Sequence, residues 1–101
     1  MELNIKIMID TESIIQEFDR FILRFGGNYR NFYIGITDNP VCRLNFDHNI
    51  GQANPYLFME AANNETARMI ERYFLDQGCD GGGDEGSGFV YAYKKGPRTR
   101  P

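Results

Sequence analysis

The sequence predicts a single domain of the α+β (α/β) class, a small mixed sheet flanked by helices. Three observations carry this. LNIKIMI (3–9) and FVYAYK (89–94) alternate between two side-chain classes, the period of a strand. ETARMIERYFLDQ (65–77) repeats its apolar positions at helical spacing instead. Between such runs stand turn signals, Gly26-Gly27, Asn39-Pro40 and Gly78.

The elements follow in order. Leu3, Ile5, Ile7 and Ile9 fall on one side of the first predicted strand. Asp10 or Thr11 then caps a helix. Its apolar positions Ile14, Ile15, Phe18, Phe21, Ile22 and Phe25 form one broad face, closed by Gly26-Gly27. After NYRN comes FYIGIT (32–37), a β-rich run. Thr37, Asp38 and Asn39 offer caps, and Pro40 suits a first helical turn, so a helix is expected from Pro40 to Asn49. IGQANP reads as a loop and YLFMEA (56–61) as a strand. Asn63 or Asn64 starts the clearest helix, ended by Gly78. A glycine-rich loop over 78–88, with Asp80, Asp84 and Glu85, leads to the last strand. The predicted order is β-α-β-α-β-α-β.

A chain of 101 residues makes one domain. There is no tryptophan, so eight phenylalanines and six tyrosines supply the bulk of the core. No apolar run approaches the ~20 residues that span a bilayer. MELNIKIMIDTES lacks the basic start and cleavage site of a signal peptide. Cys42 and Cys79 show no metal or redox spacing, which suits free thiols in a reducing compartment. A cytoplasmic protein is expected. The net charge of −3 argues against a nonspecific nucleic-acid coat, which needs a basic face. The tail 94–101 is basic, with Lys94 and Lys95 placed for phosphate contacts.

Several residues bear chemistry. Glu71 lies among Ala67, Ile70 and Phe74 on the apolar side of its predicted helix. A carboxylate there needs an arginine or a metal ion as partner. Tyr33 alternates with Ile34, so the two point to opposite sides of their strand. Tyr33 reads as a cross-strand packing residue or as a functional phenol. Arg43 has Asp47 at i+4, the spacing of a local ion pair. His48, at a helix end, reads as a surface histidine favoured by the helix dipole, or as part of a site with Tyr33 and Arg43.

Together these residues resemble a known family. Tyr33-Ile34-Gly35, Asn39-Pro40, Arg43-Leu44 and His48, followed by Glu65-Thr66-Ala67-Arg68-Met69-Ile70-Glu71, resemble the second signature and glutamate helix of the GIY-YIG nuclease superfamily. The resemblance covers residues 32–76. It implies metal-dependent endonuclease action on the phosphodiester bonds of DNA. Tyr33 would act as general base or position the attacking water, and Arg43 would clamp the scissile phosphate. Glu71 would ligate one Mg²⁺ or Mn²⁺, and His48 would contact phosphate or assist proton transfer. Specificity would come from a protein partner. The family's first signature, Gly-Ile-Tyr on the preceding strand, is not found. Gly27-Asn28-Tyr29 lies only four residues before Tyr33, leaving Tyr29 as a second candidate phenol. The family's histidine commonly follows its arginine by four, whereas His48 follows Arg43 by five. The family core has no use for the glycine-rich loop or for FVYAYKK. An inactive fold of this type that binds nucleic acid or protein is the alternative.

Overall fold

The computed structural model describes residues 2–51, 54–82 and 86–101. Asp84 and Glu85 of the glycine-rich loop lie outside the described residues. The chain opens with a long helix, α1 (Glu2–Arg24). A 3-10 turn (Tyr29–Asn31) leads into strand β1 (Phe32–Thr37). A single helical turn, α2 (Pro40–Cys42), widens into a π-turn over Arg43–Asp47. Strand β2 (Tyr56–Glu60), helix α3 (Asn64–Gln77), a two-residue strand β3 (Asp80–Gly81) and strand β4 (Phe89–Lys94) complete the fold.

The four strands lie in the order β2-β4-β1-β3. β4 runs antiparallel to both β1 and β2, while β3 joins β1 in parallel. The mixed α+β architecture matches the sequence reading. The last strand, FVYAYK, is no appendage, because it occupies the interior of the sheet between β1 and β2.

Residues 3–9 form helix where the alternation predicts a strand. A short apolar run does not distinguish the two periods. No glycine or proline separates Glu2 from Arg24. Each residue added to an existing helix gains a hydrogen bond, so the helix continues through. β3 escapes prediction because Asp80 and Gly81 have no strand signature. Gly81 is required there, since a Cβ would lie 2.1 Å from the Ile34 carbonyl oxygen.

Packing follows the alternation of β1 and β4. Phe32, Ile34, Ile36, Val90 and Ala92 meet Ile14, Phe18 and Ile22 of α1 and Ala67, Ile70 and Phe74 of α3. The Phe18 and Phe74 rings lie 5.9 Å apart and join the two helices. The other sheet face carries Tyr33, Tyr91 and Tyr93, packed with Leu44 and Ile50. Asn63 caps α3 by accepting from the Thr66 amide at 2.8 Å. Gly78, with φ 117°, ends α3 in the left-handed conformation that favours glycine.

Candidate functional site: a tyrosine and histidine cluster on one sheet face

Tyr33 stands on the sheet face opposite α1 and α3, as its alternation with Ile34 requires. The β1–β4 register sets Tyr93 directly across from Tyr33, and Tyr91 across from Gly35. Residues directly opposite in an antiparallel pair share a face, so three phenol rings gather there. The Tyr33 ring is 5.3 Å from that of Tyr93 and 6.1 Å from that of Tyr91, nearly parallel to both.

His48 closes the cluster. Its ring lies 4.6 Å from Tyr33, and only 4% of the residue is exposed. The expected surface histidine is therefore a buried one. The π-turn brings it in: the His48 amide donates to the Arg43 carbonyl, five residues back, at 3.0 Å. A π-turn accommodates one residue more per turn than an α-turn. The longer spacing between Arg43 and His48 therefore leaves them one turn apart.

Hydrogen bonding assigns the histidine tautomer. Nδ1 lies 2.7 Å from the Arg100 carbonyl oxygen, which can only accept, so Nδ1 carries the proton. The Tyr93 oxygen lies 3.0 Å from the same nitrogen. In the neutral ring, Nε2 then accepts from the Tyr91 hydroxyl at 2.7 Å. A backbone carbonyl thus orients an imidazole whose Nε2 lone pair accepts from a phenol. That is the logic by which a base is aimed at a hydroxyl. The tail holds the arrangement closed. The Arg100 amide donates to the His48 carbonyl at 2.8 Å, and the Asn49 side-chain amide donates to the Arg98 carbonyl at 3.0 Å.

Arg43 occupies the same widened turn. Its Nε lies 3.2 Å from an Asp47 carboxylate oxygen, the local pair that the i+4 spacing suggests. Glu71 lies elsewhere, on α3, against the face opposite Tyr33. It is half-buried next to Ile70, with its Oε2 withdrawn from water. Tyr29 belongs to the α1 side as well. Its hydroxyl donates to Asp19 at 2.9 Å, and its ring lies 6.3 Å from that of Phe74. Burial and the Asp19 carboxylate push its pKa up to about 12, which keeps it a neutral phenol. Burial likewise pushes the Cys79 thiol up to about 12, so it is an inert packing group. Lys94 donates to the Phe25 carbonyl at 2.7 Å, near the end of α1, and Lys95 pairs with Asp80 at 3.6 Å.

The structure therefore brings Tyr33 and His48 together, with Arg43 in the turn that carries His48. Glu71 and Tyr29 stand on the other side of the sheet. Sequence reasoning missed Tyr91 and Tyr93. The signal was the alternation of FVYAYK, which puts two tyrosines on one face. Among the described residues no group of three or more histidine, cysteine or acidic side chains is placed to hold a metal ion, and no helix is long and apolar enough to cross a membrane. Comparison with protein-family models, curated proteins and solved structures finds no match.

Proposed function

We propose that this chain is a phosphodiesterase of the GIY-YIG type acting on DNA, with its two signature strands in permuted order. One observation carries the reading. Tyr33-Ile34-Gly35 is paired antiparallel with Tyr93, Ala92 and Tyr91 of β4, a tyrosine-bearing strand that follows it in the chain rather than preceding it. That strand would take the part of the family's Gly-Ile-Tyr strand. On this reading the absence of the motif upstream of Tyr33 reflects chain order.

The roles follow from the geometry. Tyr33 is the phenol nearest His48 by ring contact, and it positions or deprotonates the attacking water. His48, with its proton fixed on Nδ1, holds the Tyr91 hydroxyl. Arg43 supplies the guanidinium for the phosphate, in exchange for its pair with the half-exposed Asp47. Glu71, to which the resemblance gives the Mg²⁺ or Mn²⁺, lies on α3 across the sheet from Tyr33 and Arg43, so the geometry does not fit it to an ion on the same phosphate. A protein partner would supply target choice.

A second reading, an inactive module that binds nucleic acid or protein, is favoured by one observation. Tyr91 and Tyr93 are fully buried and Tyr33 is 6% exposed, as in a satisfied polar core. The two readings separate in a cleavage assay on a labelled panel of branched, nicked and single-stranded DNA with Mg²⁺ or Mn²⁺. The nuclease reading expects cleavage by the wild type, loss of it in Arg43→Ala and no loss in Glu71→Ala, which lies across the sheet. Cleavage that persists in Arg43→Ala overturns the site assignment. A wild type that shifts DNA at low salt without cutting it supports the binding module.

A further inference from the structure

The tyrosine row does not stop at the buried cluster. Across the sheet, Tyr33 is registered with Tyr93, and Tyr93 with Tyr56 on the edge strand β2. All three project from the same face. The outer member is open, with Tyr56 51% exposed. Beside it stands Phe58, registered with Tyr91, its ring 6.3 Å from that of Tyr56 and within 9° of parallel. These two rings form one wall of a cavity of about 430 Å³. Val41, Leu44 and Asn45, from the turns that lead to His48, line it too, with Ile50 and Gly51.

We infer that this cavity is a nucleobase-binding subsite, resting on the proposed phosphodiesterase reading. Three features specify a flat heterocycle. Tyr56 and Phe58 are aromatic and nearly parallel, and aromatic rings stack on any base. The Asn45 amide carries both a donor and an acceptor, able to pair with a base edge. The site is also continuous with the cluster around Tyr33: Leu44, Ile50 and Phe58 belong both to the cavity wall and to the packing of the cluster. Two inter-strand spacings separate Tyr56 from Tyr33, about 10 Å. A single nucleotide spans that distance from its phosphate to its base. A phosphate at Tyr33 therefore puts a neighbouring base at Tyr56.

A base can enter such a cavity only when it is out of the duplex stack. The inference thus names the substrate class as single-stranded or unpaired DNA next to the bond that is cut.

The test is a binding titration without metal. The probe is a single-stranded DNA decamer carrying one 2-aminopurine, moved through the positions in turn, in EDTA. Stacking on an aromatic ring quenches this base. The expected result is quenching at one position. Tyr56→Phe should bind as wild type does, and Tyr56→Leu about 5- to 150-fold more weakly. Removing the base at that position should weaken wild type more than it weakens Tyr56→Leu. Equal affinity of Tyr56→Leu and wild type, or no quenching at any position, overturns the subsite. The cavity would then be free to take an apolar peptide side chain instead. Because cleavage is read separately through Arg43, the two claims fail separately. A wild type that quenches without ever cutting removes only the phosphodiesterase reading. One that cuts while Tyr56→Leu binds normally removes only the subsite.

Discussion

At the scale of single residues, His48 determines most about the site. It is the only histidine in the chain, and each ring nitrogen has an assigned bond. The Arg100 carbonyl fixes the proton on Nδ1, so the Tyr91 hydroxyl is the donor to Nε2. Tyr91→Phe removes that donor from a fully buried position and leaves an acceptor unsatisfied. The expected cost is about 1–3 kcal/mol. A thermal melt should show it as a fall of several degrees. Nitrogen NMR on this one histidine should report the Nδ1-protonated ring in the wild type. An unchanged melting temperature together with an Nε2-protonated ring would contradict the assignment. Residue types and spacing pointed to Tyr33, Arg43 and His48 in the sequence. The burial of His48 was not legible, because it depends on the tail that folds back over it through Arg98 and Arg100.

At the scale of elements, the π-turn and the glycine-rich connection give the site its shape. The π-turn keeps His48 one turn from Arg43 despite the additional residue. A turn defined by its hydrogen bonds leaves no composition signal, so the sequence predicted an ordinary helix over 40–49. The connection between β3 and β4 is held at Gly86, where a Cβ would lie 2.2 Å from the Ile36 carbonyl oxygen and 2.4 Å from the Thr37 Cα. Both are backbone atoms and cannot rotate away. Gly86→Ala should therefore destabilise the fold by at least about 2 kcal/mol, by forcing the loop off the end of β1. A urea melt measures it, and a midpoint equal to that of the wild type would refute the close approach. Helix α3 was legible throughout. Its Asn63 cap, apolar face and Gly78 terminus agree with one another, and local agreement of this kind makes an element readable. Residues 3–9 were not, because the same short apolar run satisfies two periods.

At the scale of the whole molecule, the sheet order decides the reading. β4, last in the chain, lies between β1 and β2 and supplies two of the three buried phenols. Fold class was legible from element periods. Strand order was not, because nothing in FVYAYK specifies which strand it will pair with. The antiparallel pairing of β1 with β4 sets Tyr91 and Tyr93 beside Tyr33-Ile34-Gly35. The account then stands or falls on whether the cluster acts on a phosphodiester bond. The most direct measurement is the single-turnover rate of DNA cleavage in Mg²⁺ by wild type and by Tyr33→Phe. That change removes one hydroxyl and keeps the ring that packs on His48. The account predicts cleavage by the wild type and a rate about 10²- to 10⁴-fold lower in the variant, with the fold unchanged by circular dichroism. Equal rates, or no cleavage by the wild type on any DNA of the panel, would contradict it.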